Sequence, residues 1–305
     1  MWTNSSARCA TWINAAMLVL CAVPLNAELS GKMAGCVLAG GTNRVVILDS
    51  RGEIVWEHPA ALVHDVWMLP GGNILFADGQ SVTEVTPGHK VVFRFQSSEQ
   101  RGGGTYACQR LENGDTVIGE NSTGKILEVD QKGRVVFQLQ TTPATAGAHH
   151  NMRMVRKVGN GNYLVCHSGT NLVNEYAPDG TVVWEMKTPA LPFAAIRTAG
   201  GTTLVSELDH ICEYDSSGKI VWQFANTDLP GVVITKMTGM HLLPDGNIAV
   251  GCYAAYNGKE GNGLFEITRD RKLVWRYANP AGDRSMMAVQ RLDDRGNLLP
   301  GRCLR

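Results

Sequence analysis

Histidine carries the clearest chemical signal in this chain, which holds eight of them. His149 and His150 stand side by side, three residues ahead of Arg153, and His64 precedes Asp65. A neutral imidazole near pH 7 can attack an electrophile or relay a proton, and a guanidinium can hold an oxyanion through two parallel hydrogen bonds. His64, His150, Arg153 and Tyr106 are therefore the candidates for catalysis. A second set suits ligand binding. Phe193 and Tyr253 can stack on a flat ligand face, and Asp78, Glu120, His149, His167, Glu207 and His210 can bond its polar edges. His64, His150, His167 and Glu207 could approach a divalent metal in space, yet no short-range spacing of ligands supports one, and no cofactor is expected. Cysteine offers no Cys-x-x-Cys pair. The six beyond residue 27 (Cys36, Cys108, Cys166, Cys212, Cys252 and Cys303) read as small apolar strand residues, with a Cys36–Cys303 staple as the conceivable disulfide.

Residues so far apart need a fold that gathers them, and internal repetition provides it. The segments ILDSRGEIVWEH, VTPGHKVVFRF, VDQKGRVVFQL, YAPDGTVVWEM, YDSSGKIVWQF and ITRDRKLVWRY each read as strand, turn and a second strand ending in an aromatic residue. Those aromatics, Trp56, Phe93, Phe137, Trp184, Trp222 and Trp275, recur at intervals of 37, 44, 47, 38 and 53 residues, the spacing of propeller blades. Between them run hairpins such as HDVWMLPGGNILFADG and GMHLLPDGNIAVGCY, with tight Gly-containing turns. Each unit is thus four strands, a to d. The N-terminal copy supplies strands b, c and d but lacks a, and the C-terminal copy supplies a strand a over Met286–Leu292 and stops. Joining them closes a ring without free edges. The expected fold is all-β: a six-bladed β-propeller of four-stranded antiparallel blades, spanning residues 28–305.

That architecture maps the candidates. Strand a lines the central channel, so the d-to-a and b-to-c loops share one face. The a-to-b turns, such as Asn113-Gly114 and Asp245-Gly246, are minimal, whereas long loops fall on the other face, where function tends to sit. Counting nine residues back from each a-to-b turn gives His64, Tyr106, Arg153, Phe193 and Thr238, and one inserted residue in the last blade gives Met287. These form a ring at the channel mouth. The ends of strand b add Asp78, Glu120, His167 and Glu207, with Tyr253 just beyond, and His149, His150 and His210 lie in the same region. His241 is out of register and reads as a core histidine.

Charge and composition narrow the partners. With 28 basic against 28 acidic residues the chain lacks the basic footprint of a nucleic-acid binder. Charged residues at 18% and 34 glycines suit an all-β chain rich in tight turns. Residues 1–27, with Arg8 ahead of an apolar run over 12–25 and then Asn26-Ala27, have the layout of a secretory signal peptide. The expected location is periplasmic or secreted, with no membrane span after cleavage.

The Asp-x-x-Gly-x-x-x-Trp pattern of Asp215 to Trp222 resembles the PQQ-type propeller repeat, over residues 35–300. The resemblance implies architecture, not a bound quinone, since the adjacent cysteine pair of quinoprotein dehydrogenases has no counterpart here. Residues His64 to Asn73, taken with His149-His150-Asn151 and Arg153, also resemble a pattern of bacterial arylsulfotransferases. That resemblance implies His64 or His150 as nucleophile, Arg153 as oxyanion clamp and another histidine as general acid or base. Two functions follow as expectations. One is a binding module for a small polar or carbohydrate-like ligand, or for a protein partner. The other is a histidine-centred enzyme, either a sulfuryl transferase or a carbohydrate lyase in which His or Tyr is the base.

Overall fold

A computed structural model describes residues 28–97, 99, 101, 103–142, 144, 148–232, 234, 236–253, 262–278 and 285–305, so the signal-peptide reading of residues 1–27 lies outside the described residues. The chain forms six antiparallel sheets with no helix among the described residues. Strands a of blades 1 to 5 are Asp65–Met68, Thr105–Arg110, Met154–Lys157, Ala194–Arg197 and Met237–Leu242. Blade 6 draws its strand a, Ala288–Arg291, from the C-terminal region and strands b to d, Val37–Gly40, Thr42–Leu48 and Ile54–Leu62, from the N-terminal region. Val37 pairs with Arg291 and Gly40 with Ala288, which closes the ring as the complementary half-blades require.

The strands follow from where each one stands. Strands b are sandwiched between neighbouring blades and are buried on both faces, as in Ile74–Ala77 and Thr116–Glu120, so they read as continuous apolar runs rather than alternating ones. Strands d lie at the rim, and each of five blades begins its strand d with an exposed β-branched pair such as Val91-Val92 or Val182-Val183. The aromatic that follows latches the next blade. Trp56 and Trp222 donate their indole N–H groups to the backbone oxygens of Pro87 and Arg269, at 2.8 Å in each case. On the short-turn face Gly72 takes φ 82° and Gly114 φ 89°, a left-handed conformation that a residue bearing Cβ adopts only under strain.

Two features depart from the repeat. Glu28–Gly31 adds a fifth strand to the outer edge of blade 5, pairing Glu28 with Ala278 and Gly31 with Trp275. The Cys36–Cys303 staple does not form, because all six cysteines beyond residue 27 are free thiols. Cys303 instead faces His241, with Sγ 3.6 Å from Nε2, while His241 accepts the Arg291 backbone N–H at Nδ1, consistent with its place in the core.

Candidate functional site

All six ring positions read from the blade register reach the channel mouth. His64, Arg153, Phe193, Thr238 and Met287 line a cavity of about 330 Å³ together with Leu62, His149, His150, Leu191, Leu208, Lys236 and Tyr253. Tyr106, the sixth, lines an adjoining, more open hollow of about 470 Å³ that shares Leu62 and His64 with the first. Below His64 the channel narrows to about 10 Å³, room for roughly one water. A plug lies beneath. The Asp65 carboxylate accepts two hydrogen bonds from Arg156, at 2.7 and 3.0 Å, and one from the Cys108 backbone N–H, and it faces Arg305 at 3.7 Å. Both guanidinium groups also stand over the Trp67 ring, 5.0 and 4.7 Å from its centroid. The site is therefore a cup with a closed floor.

Arg153 organises the cup. Its Nη2 donates to His149 Nε2 at 3.0 Å and to His150 Nδ1 at 3.2 Å, and its guanidinium carbon lies 4.8 Å from the Tyr106 ring centroid and 5.8 Å from that of Phe193. The direction of those bonds fixes the tautomers. A neutral His149 accepting at Nε2 carries its proton on Nδ1, 2.9 Å from the Tyr106 hydroxyl oxygen, and a neutral His150 carries its proton on Nε2. Burial, reinforced by Arg153 and His149, holds His150 below the usual imidazole range. Burial also lowers Arg153 from its ordinary value, although a guanidinium stays charged at neutral pH.

His64 stands at the junction of the two hollows. It is 6% exposed and stacks on Tyr106 with ring centroids 3.9 Å apart and planes 28° from parallel. Burial, then the positive charge of Arg153 and the proximity of His149, keep its pKa well below 6.5, so it is a neutral imidazole. Its buried Nδ1 has no hydrogen-bond partner among the described residues.

The loops that carry these groups are pinned by backbone contacts. Asn121, fully buried at the end of strand b of blade 2, donates to the Gly103 and Ala148 backbone oxygens and accepts from the Met152 N–H. One side chain thus holds both the approach to Tyr106 and the His149-His150 segment. At Gly103, with φ 85°, an added Cβ would fall 2.0 Å from the Tyr106 hydroxyl, which is why glycine stands there.

The remaining candidates lie elsewhere. Asp78 borders the open hollow, but its Oδ1 accepts from the Gln80 and Ser81 backbone N–H groups, at 3.1 and 2.8 Å, and so ties a turn. Glu120 is buried and accepts from the Ser97 and Thr123 hydroxyls, each at 2.5 Å. His167 is clamped between the Asn151 backbone oxygen and the Tyr176 hydroxyl, both at 2.8 Å. Glu207 accepts from Tyr214, and burial raises its carboxyl above the usual range. His210 pairs with Asp209 at 3.1 Å near the surface. None of these last four lines either hollow. Sequence reasoning missed Lys236 and the apolar lining of Leu62, Leu191 and Leu208. Lys236 immediately precedes strand a of blade 5, two residues ahead of the counted ring position Thr238. Among the described residues, no group of three or more His, Cys, Asp or Glu side chains is placed to hold a metal ion.

Residues 148–297 match a family model described as outer membrane protein assembly factor BamB, the PQQ_2 group. Over those residues, just under half of the chain, the sequence is similar to PQQ-type propeller repeats. Its fold recurs widely. A protein of unknown function from Bacteroides caccae is 23% identical, with a TM-score of 0.74 over 84% of this chain and 98% of that one. Virginiamycin B lyase from Staphylococcus aureus is 12% identical, with a TM-score of 0.56 over 82% of this chain and 87% of the lyase. The WD40 β-propeller domain of Doa1 is also 12% identical, with a TM-score of 0.56 over 80% and 75%. At such identities these likenesses speak for the propeller fold alone. No curated protein matches the chain. No helix among the described residues is long and apolar enough to cross a membrane.

Proposed function

We propose that the histidine-rich cup binds a small polar molecule, in a protein that works outside the cytoplasm. The supporting observation is the cup itself. Arg153, Lys236 and three imidazoles converge on a closed-floored cavity of about 330 Å³ whose other walls are largely apolar. An apolar pocket with a few convergent polar groups is the usual form of a small-ligand site. The extracytoplasmic setting draws on the signal-peptide layout and on the outer-membrane description of the matching family model.

A thermal-shift screen of residues 28–305 tests the reading, with neutral and acidic sugars, aryl acids and aryl sulfates in the panel. A ligand at a hundred times its Kd adds about 2.7 kcal/mol, which is readily seen as a raised Tm. The shift should disappear in Phe193→Ala. A panel that leaves Tm unchanged, set against a partner captured on the same face, would replace a small ligand with a protein. One observation favours the enzymatic alternative, namely the buried, neutral His64 with its unpartnered Nδ1 between two hollows. Catalysis there requires that His64→Ala abolish turnover of a bound ligand while Tm stays close to wild type. Retained turnover would leave binding as the function.

A further inference from the structure

Four arginines are buried among the described residues: Arg153, Arg156, Arg291 and Arg305, at 9%, 8%, 5% and 5% exposure. Three of them meet carboxylates. Arg156 and Arg305 share Asp65, and Arg291 pairs with Glu266 at 3.0 Å. Arg153 alone has no acidic partner among the described residues. Its neighbours are two imidazoles, a phenol and a phenyl ring. A buried charge without a counter-charge is costly, and a protein that can place Asp65 and Glu266 so well against other arginines leaves this one unpaired at its binding cup.

Among the described residues, the 330 Å³ cavity is lined by Arg153 and Lys236 and by no aspartate or glutamate, while Leu62, Leu191, Phe193, Leu208, Tyr253 and Met287 supply apolar surface. Resting on the ligand-binding reading above, we infer that the natural ligand is an organic oxyanion on an apolar body, its carboxylate or phosphate oxygens taking the hydrogen bonds of Arg153 and its body lying against Phe193 and Met287. Guanidinium suits this task because its donors match the spacing of two oxyanion oxygens. As negative charge arrives, His150 can take up a proton at Nδ1 and release the Arg153 N–H it accepts, which frees that donor for the ligand.

Isothermal titration with three probes of similar size tests the inference: phenylacetate, phenyl phosphate and neutral benzyl alcohol. Both anions should bind at least tenfold tighter than the alcohol, and comparison of the two separates a carboxylate from a phosphate preference. Arg153→Met should weaken both anions at least tenfold and leave the alcohol within twofold. The same variant removes a buried charge without a counter-charge but also two hydrogen bonds to imidazoles, so a cooperative melt within a few degrees of wild type is the check that it folds. Lys236→Met, at the edge of the cup, should weaken the anions severalfold with the same selectivity. Alcohol bound as tightly as the anions, or anion affinity unchanged in Arg153→Met, would overturn the inference while leaving small-ligand binding intact. No binding by any of the three at millimolar concentration would overturn both readings.

Discussion

At the scale of single residues, the buried imidazoles make the fold sensitive to acid. His64, His167 and His241 are all buried, and burial is the leading cause that lowers each below 6.5, His241 to about 3. The unfolded chain takes up protons on these rings as pH falls through about 6.5, whereas the folded protein resists. Stability is thus fully present above pH 6.5 and is lost progressively as pH falls, for His241 until about 3. Each ring contributes at most roughly 1.4 kcal/mol per pH unit in that window. Tm should fall clearly between pH 7.5 and pH 5. A Tm that is flat or rises over that interval would mean that these rings are not held neutral in the folded protein. The proposed anion site should respond in the opposite direction. His150 sits below its ordinary value beside Arg153, and an anion at Arg153 raises it, so oxyanion affinity strengthens as pH drops from 8 towards 6.

At the scale of elements, the site depends on loops held by a few side chains rather than on the strands alone. Asn121 satisfies three backbone groups across two segments. Asn121→Ala leaves those groups unpaired in the interior, at a cost of about 1–3 kcal/mol, and it should weaken ligand binding more than a surface change of equal destabilisation. Hydrogen exchange of the 148–152 amides reads this directly, with faster exchange there than in strands b expected. The same scale shows what the sequence made legible. The ring at the mouth could be counted because the a-to-b turn lies nine residues from the ring position in five blades, which placed His64, Tyr106, Arg153, Phe193 and Thr238 together, and one inserted residue in the last blade added Met287. The ends of strands b could not be read this way. They stand one strand farther from the axis, where local partners compete for them. Tyr176 bonds His167 and Tyr214 bonds Glu207, each from the neighbouring strand c of its own blade, and Ser97 takes Glu120. The fifth strand at Glu28–Gly31 was hidden for another reason. It is four residues long, has no repeat counterpart, and meets a partner more than two hundred residues away at 275–278.

At the scale of the whole molecule, closure is shared between the two ends of the domain. Strand a of blade 6 comes from the C-terminal region and strands b to d from the N-terminal region, and Val289 of strand a packs with Val37 and Val46. A chain truncated after residue 285 would present an open edge at Val37–Gly40 and would lose Arg291 and Arg305. It should show no cooperative thermal transition near that of the full domain, as monitored by near-ultraviolet circular dichroism. A preserved sharp transition would mean that five blades suffice. Repetition made the architecture legible before any contact was known, since each blade restates the same strand order. The candidate site was less legible where blades differ, because the loop residues Leu191, Leu208 and Lys236 have no repeat counterpart to count from.

The plug of Asp65, Arg156, Trp67 and Arg305 beneath His64 also decides how anything can come and go. A ring with an open axis could let a polymer thread through it, entering on one side and leaving on the other. Here the described residues fill the axis below His64, so whatever occupies the cup enters and leaves on the long-loop face, through the cup or the open hollow that adjoins it. A long chain could engage only through an end or a side branch short enough to dip into the mouth.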